Sequence, residues 1–375
     1  MKFTISKHLI DQLIEFMSNY IDNNDMHYLS RTIKIELDTQ NLVLTAANAS
    51  IAARKVIKVD EDKIKVEKAG KLCILASLLK NIIKKFNKEI TFKQRGNLID
   101  IYEGSTSFTL TTNDITQHID TNFEDQKNTL EIDSQRLDKI INNVSISTTI
   151  SNDKLNSIVF KCINITSKNS ENVRFVATDS YRLSTEILKV DKKVDIDLTV
   201  DAKSLKKLIT KDAPEKVQLF FDEHKIGISY ENTVIYISVS KIQYIDISSL
   251  FQTKYTRRFS IEKDELLKVI NTALFQITEK DRKMEFSFNE NEIKVLFEVP
   301  EIGTGKAVSN KFQILEGKPI DMDFNYIYIK DAVSQLEPGN INIFISEKED
   351  RVLLLTENDN SHIQLITPLR KFYNN

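Results

Sequence analysis

Three stretches of the chain share one order of apolar and polar positions. KFTISKHLIDQLI from Lys2, TLEIDSQRLDKII from Thr129 and RFSIEKDELLKVI from Arg258 each open with strict alternation, which places every second side chain on one face of a β-strand. After the second apolar residue the spacing becomes helical. With that residue as zero, apolar side chains recur at +5, +8 and +9, a single stripe along a helix. The positions are Ile5, Ile10, Leu13 and Ile14; Ile132, Leu137, Ile140 and Ile141; and Ile261, Leu266, Val269 and Ile270. Ile74, Leu79, Ile82 and Ile83 repeat the template, as do Val200, Leu205, Leu208 and Ile209, and Phe324, Ile329, Ala332 and Val333.

The zero positions are 5, 74, 132, 200, 261 and 324, separated by 69, 58, 68, 61 and 63 residues. Near-even spacing of one unit points to internal duplication. Alternating runs such as Val217–Phe221, Ile226–Tyr230, Ile235–Val239 and Ile293–Val299 follow the helices. The unit predicted is one strand, one helix and then several antiparallel strands. Two units make a domain of about 125 residues, a common domain size. The expected fold class is α+β with three similar domains at 1–124, 125–254 and 255–375, divided at polar stretches near 124–127 and 252–256.

Composition narrows the class. The 375 residues are 41% hydrophobic, enough for sizeable cores, and the net charge of −2 shows no overall basicity. A local basic patch would still serve nucleic acid. Cys73 and Cys162 stand far apart in strand-like runs and read as small buried residues in a reducing compartment. The opening MKFTISKHLIDQLIEF is broken by charge and lacks the apolar core of a signal peptide. No run is long enough to span a bilayer, so the expectation is a cytoplasmic protein with no membrane partner. With 8 Gly and 5 Pro in the chain, few loops can be phosphate cradles.

Each helix buries its apolar stripe, leaving +6, +7, +10 and +11 to solvent. Those positions hold Lys80, Lys84, Lys85, Lys139, Lys206, Lys207, Lys211, Lys268 and Lys330 against Asp11, Glu15, Asp138 and Asp331. The bias is positive, although the first helix is acidic. Helices pack about 8–10 Å apart, so a ring lined by six would leave a hole of only about 9 Å once helix radii of about 5 Å are subtracted. Twelve, from two copies, would leave about 28 Å, enough for a duplex roughly 20 Å across. Lysine contacts to phosphates would be non-specific and would permit sliding.

RFVATDSYRLST, residues 174–185, compresses Thr178, Asp179, Ser180, Tyr181 and Arg182 into one turn. An enzyme reading of Asp179 and Ser180 finds no histidine nearby in sequence. His8, His27, His118, His224 and His362 lack the spacing of a metal motif, and no metal or cofactor is expected. Asp179 with Arg182 reads as a turn-fixing pair. Gly303-Thr-Gly305-Lys306-Ala307 hints at a nucleotide loop but has Pro300 at the first glycine position and Ala307 where a hydroxyl would meet magnesium. It reads as an exposed loop between strands.

Taken with Ile366-Thr-Pro-Leu-Arg370 near the end and the threefold repeat, Phe175-Val-Ala-Thr-Asp-Ser-Tyr-Arg-Leu183 resembles the bacterial DNA polymerase III beta subunit, the sliding-clamp family, over the whole chain. The resemblance implies a head-to-tail homodimeric ring around double-stranded DNA. Its partners would be the replicative DNA polymerase catalytic subunit, the clamp loader complex and repair polymerases that carry a clamp-binding peptide. It implies a peptide cleft at Leu155, Thr178, Tyr181, Arg182, Leu183, Ile245, Leu250, Asn325, Tyr328, Leu365, Thr367, Pro368, Leu369 and Arg370, with Arg182 and Arg370 as donors to the peptide. It implies that Lys80, Lys84, Lys85, Lys139, Lys206, Lys207, Lys211 and Lys268 face DNA. Phe108 and Leu110 match one half of the family's subunit interface, and Leu274 and Phe275 the other.

There are departures from the family pattern. Ile245 stands where the family often has proline, Ala47-Asn-Ala-Ser50 replaces a Thr-Asp-Leu string, and Lys-Phe-Tyr-Asn-Asn follows Arg370. These bear on the cleft's peptide preference. The second reading is a ring-like scaffold that binds partners without encircling DNA, which the acidic first helix keeps open.

Overall fold

The computed structural model describes residues 1–60, 62–113, 115–149, 158–275 and 282–370. Leu155 and the five residues after Arg370 lie outside the described residues.

All six strand-to-helix switches stand where the spacing predicts them. Lys2–Ser6 runs into α1 (Lys7–Ser18), Gly70–Leu75 into α2 (Ala76–Ile83), and Leu130–Asp133 into α3 (Ser134–Ser145). Arg182–Asp201 runs into α4 (Ala202–Leu205). Beyond a separate short helix α5 (Ser248–Phe251), Tyr255–Glu262 runs into α6 (Lys263–Ala273) and Ile320–Asn325 into α7 (Tyr326–Gln335). Of the apolar positions that define the template, all but the half-buried Ile209 are buried. The last strand residue often caps its helix. Ser6 Oγ accepts from the Leu9 amide, Glu262 from that of Glu265 and Asn325 from that of Ile327. Each satisfies a backbone donor that the first helical turn leaves open.

The fourth helix is shorter than its spacing suggests. Past Leu205 the amides of Lys207 and Leu208 bond back three residues, to Ser204 and Leu205, the tighter geometry in which helices end. The β-branched Ile209 and Thr210, then Pro214, do not extend it.

The chain divides into two compact units, Met1–Asp138 with Lys203–Ser240, and Lys139–Ala202 with the residues from Lys241 on. The first holds a five-stranded sheet, with Thr106–Thr111 at one edge, and an eight-stranded sheet. The second holds a seven-stranded sheet and a four-stranded one, with Gly303–Ser309 at an edge. Hydrogen bonding crosses the boundaries read from the sequence. Thr233–Ser238 pairs with Ile51–Lys58 inside the first unit, and Arg182–Asp201 with His362–Ile366 inside the second.

One reading is corrected here. Gly303 to Ala307 is not a loop but part of the edge strand Gly303–Ser309, paired antiparallel with Ile293–Val299. Its composition conceals it because the backbone passes close to the end of α6. A Cβ on Gly305 would lie 2.0 Å from the Ala273 carbonyl oxygen, so no side chain fits there.

Candidate functional site

The residues of the Thr178–Leu183 turn are spent largely on one another. Asp179 Oδ1 accepts from the amides of Tyr181 and Arg182, each at 3.0 Å, and Oδ2 from Arg182 Nε at 3.0 Å. Thr178 Oγ1 accepts from the Ser180 amide and donates to the Arg182 carbonyl at 2.7 Å. Ser180 sits at φ 77°, a left-handed conformation that side chains adopt reluctantly. Asp179 and Ser180 thus build the hairpin, which removes the basis for a nucleophile. The turn-fixing reading of Asp179 with Arg182 is the one the geometry supports.

Arg182 is held by more than the turn. Besides Asp179, its Nη1 donates to Asp331 at 2.9 Å, and its guanidinium lies 4.4 Å from the Tyr328 ring centre. Two carboxylates and an aromatic face hold it. It shapes the site as a strut, with Nε and Nη1 committed to the two carboxylates. Burial, helped by the Asp179 carboxylate, pushes the Tyr328 phenol up.

Thr367 ties the turn to the C-terminal segment, donating from both its amide and its hydroxyl to the Tyr181 carbonyl, each at 2.8 Å. The Leu369 amide donates to the Asp323 carbonyl at 2.7 Å. These bonds frame a cleft of about 1030 Å³ lined by Tyr181, Asn325, Tyr328, Thr367, Pro368, Leu369 and Arg370 from the expected set. Tyr181 and Leu369 are exposed; Asn325 has its side-chain oxygen committed to capping α7.

The other expected residues divide. Leu183 and Leu365 are paired across strands and buried with Val176 in a small apolar cluster, against which Leu250 packs. The amide of Thr178, also buried, donates to the Tyr244 hydroxyl at 3.1 Å, and burial raises that phenol above its usual range. Ile245 is exposed and stands outside this cluster, where Tyr244, Ile247 and Phe251 pack instead. Its neighbours on either side, Tyr244 one residue back and Ile247 two residues on, are the ones turned inward. Sequence reasoning also missed Met322, Lys348 and Arg351 on the cleft wall. Met322 sits within the strand Ile320–Asn325, and Lys348 and Arg351 in the turn between Asn340–Ser346 and Val352–Thr356, so no local motif marks them.

On the reverse face of the Leu183 and Leu365 strands lies a buried polar ladder. Ser147 bonds Ser184 at 2.6 Å, Ser184 donates to Gln364, Gln364 bonds His362 at 2.8 Å, and Asn143 donates to Glu186 at 2.9 Å. It fixes α3 against the strands that carry the apolar cluster.

The expected lysines do not form one set. Lys80 pairs with Glu15 at 2.6 Å and Lys139 with Glu337 at 2.5 Å, while Lys207 donates to the Asn19 carbonyl at 2.6 Å. Lys84, Lys206 and Lys211 are exposed and border one groove of about 860 Å³ beside α1, with Lys207 on its wall. Lys85 and Lys268 are exposed elsewhere, and Lys330 is half-buried.

Phe108 and Leu110 are half-buried on the edge strand Thr106–Thr111, Phe108 edge-on to Phe86 at 5.8 Å. Leu274 packs on the second unit's core, and the exposed Phe275 lies 5.7 Å from Phe297, next to Gly305. Neither edge strand carries an acid or a proline; Thr106–Thr111 has no charge at all and Gly303–Ser309 only Lys306, so the first lacks the usual protection against strand pairing and the second has one lysine of it.

Family profiles match the chain in order: the DNA polymerase III beta subunit N-terminal domain on residues 1–119, the central domain on 131–244 and the C-terminal domain on 248–370. The chain belongs to the DNA polymerase III beta-subunit family. Its similar relatives include the beta sliding clamp of Mycoplasmopsis pulmonis, 25% identical over 99% of this chain and 100% of the relative. That of Bacillus subtilis is 24% identical over 99% and 100%. The crystal structure of the B. subtilis DNA polymerase sliding clamp superposes with a TM-score of 0.91 at 21% identity, covering 99% of this chain and all of that one. The Pseudomonas aeruginosa beta subunit gives 0.87 at 15%, over 99% and 100%.

The fold is therefore the three-domain clamp fold, mixed α+β, as its repeat predicts. Family membership places the chain among sliding-clamp subunits and not among catalytic ones. Where this beta-subunit chain departs from the family string at Ile245, the apolar packing is taken over by Tyr244 and Ile247. At Ala47–Ser50, Asn48 Oδ1 closes the turn by accepting the Ser50 and Ile51 amides. Among the described residues, no helix is long and apolar enough to cross a membrane.

Proposed function

We propose that two copies of this chain join head to tail into a ring around duplex DNA and tether DNA-acting partners through the cleft at Tyr181 and Leu369. The observation that carries the reading is the sixfold strand–helix unit, whose helices bury one face and present lysines on the other. Domains bounded near residues 124 and 254, two units each, would supply six helices per copy. The ring arithmetic then leaves about 28 Å for a duplex roughly 20 Å across. The edge strands Thr106–Thr111 and Gly303–Ser309, which carry one charge between them, would pair between copies, with Phe108 and Phe275 beside the seam. Lys84, Lys206 and Lys211 would follow the phosphates loosely. The cleft would take a short extended peptide from the replicative polymerase catalytic subunit, the clamp loader or repair polymerases.

The test is loading onto nicked circular DNA with the matched loader, then cutting the circle and separating bound from free protein by gel filtration. Protein held on circles and lost after cutting is held topologically, as a clamp is. Protein that never stays, or stays equally on linear DNA, would defeat the reading and favour a scaffold that does not encircle DNA.

A further inference from the structure

Residues 119–128 lie outside every helix and strand, yet side-chain bonds hold them along their length. They rest on the eight-stranded sheet where Thr233–Ser238 pairs with Ile51–Lys58. Phe123 is 4% exposed there, packed with Ala47, Ala52, Phe220 and Val234. Its ring meets Tyr236 edge-on at 5.2 Å. The Arg54 guanidinium lies 4.9 Å from the same ring and pairs with Glu124. Lys225, 8% exposed, donates to the Asn122 carbonyl at 2.7 Å, with the Tyr236 and Phe220 ring centres 5.4 and 6.0 Å away. Further along, Ser229 Oγ donates to Gln126 Oε1 at 2.9 Å and Asn128 Nδ2 to the Phe221 carbonyl at 3.0 Å.

We infer that this segment is a latch on the sheet, pinned by Phe123 beside Arg54 and held down by Lys225, and that it keeps Ile51–Lys58 and Thr233–Ser238 together. Those strands come from the stretches that the N-terminal and central family profiles match, so the latch stiffens the joint between them. The contacts depend on one another. A segment with no ladder of its own is placed by its side-chain bonds. Ala47 and Ala52 leave a hollow that the Phe123 ring fills, and the ring touches both strands of the joint, at Ala52 and at Val234. The Lys225 cation is largely cut off from water and needs an acceptor and ring faces around it; the latch supplies the acceptor. The second connecting segment repeats the device. Phe123 stands nine residues before Ile132, and Phe251 ten before Ile261. Phe251 packs against the cluster of Val176, Leu183 and Leu365, with the Arg174 guanidinium 5.5 Å from its ring. Leu183 and Leu365 are themselves opposite each other across paired strands. A phenylalanine beside an arginine, over a strand pairing, thus belongs to the duplicated unit. Neither the peptide cleft nor the ring enters into it.

The experiment is hydrogen–deuterium exchange of the full-length chain, read by mass spectrometry, for the wild type, Phe123→Ala, Lys225→Met and Lys225→Arg. Lys225→Met keeps a long apolar stem and removes the donor, whereas Lys225→Arg keeps both cation and donor. Release of the latch lets the strands beneath it open locally. Amides of residues 51–58 and 233–238 should exchange about tenfold faster in F123A and about threefold faster in K225M, with K225R close to the wild type. The strands Arg182–Asp201 and His362–Ile366 of the second unit should keep their wild-type rates. Unchanged protection of 51–58 and 233–238 in F123A and K225M would overturn the inference. So would a rise of equal size in both units, which marks general destabilisation. Equal rates in K225M and K225R would remove Lys225 from the latch. Should F123A fail to fold, K225M decides alone, since it leaves the Phe123 packing in place.

Discussion

Leu183 and Leu369 are two leucines of one region with opposite burdens. Leu183 is 1% exposed and packed with Val176 and Leu365; Leu369 is 41% exposed. Truncating Leu183 opens a cavity, so Leu183→Ala should lower stability by about 2–5 kcal/mol. Leu369→Ala should leave the melting temperature nearly unchanged and weaken peptide binding by at least tenfold, as truncation of a central anchor does. Thermal melting and peptide titration of both variants check this; a large stability loss in L369A would show the cleft misplaced. Cys162 gives a prediction in pH. Burial pushes its thiol up to about 11, so above pH about 8.5, where an unfolded thiol ionises, the unfolded chain releases a proton that the folded chain keeps. Its contribution to stability is constant below that pH and falls as pH rises toward 11. Urea midpoints at pH 8 and pH 10 should fall further apart in the wild type than in Cys162→Ala. An equal fall in both would remove the thiol as the cause.

At the scale of elements, the strand–helix units were legible because periodicity of two and of three to four residues is written directly in side-chain polarity. Ile5, Ile10, Leu13 and Ile14 show it as clearly as any buried set in the structure. The edge strand Gly303–Ser309 was not legible, since an edge needs no alternation and Gly305 is dictated by the Ala273 carbonyl of a neighbouring helix. Arg182 could be named from its motif, but its Asp331 partner lies 149 residues away, beyond any local pattern. The same edge carries a prediction. Gly305→Val forces the strand away from α6 and should cost about 1–3 kcal/mol or more, as overpacking does. It should also weaken self-association. Phe108→Asp, on the opposite edge strand, should break the dimer with little loss of fold, because Phe108 is only half-buried. Sedimentation equilibrium reads both; a stable dimer of F108D would refute the pairing of these edges.

For the whole molecule, the proposed ring poses the question of whether charge or topology would hold it on DNA, and the exposed lysines allow the two to be separated. Lys80 and Lys139 are already neutralised by Glu15 and Glu337, so changing them should disturb the protein more than its DNA contacts. Lys84, Lys206 and Lys211 border one groove of the first unit and are exposed. Replacing these three with Glu removes up to three phosphate contacts per copy. The plot of log affinity against log salt for linear DNA should then flatten by about 0.9 per contact, or about 2.7 per copy. A ring that encloses its duplex needs none of those contacts to remain in place. The triple variant should therefore load more slowly, yet once loaded it should stay on closed circles in 0.5 M salt, about as long as the wild type, since the Debye length there is only about 3–10 Å. Loss of the loaded variant from intact circles at that salt would mean that charge, and not enclosure, retains the protein.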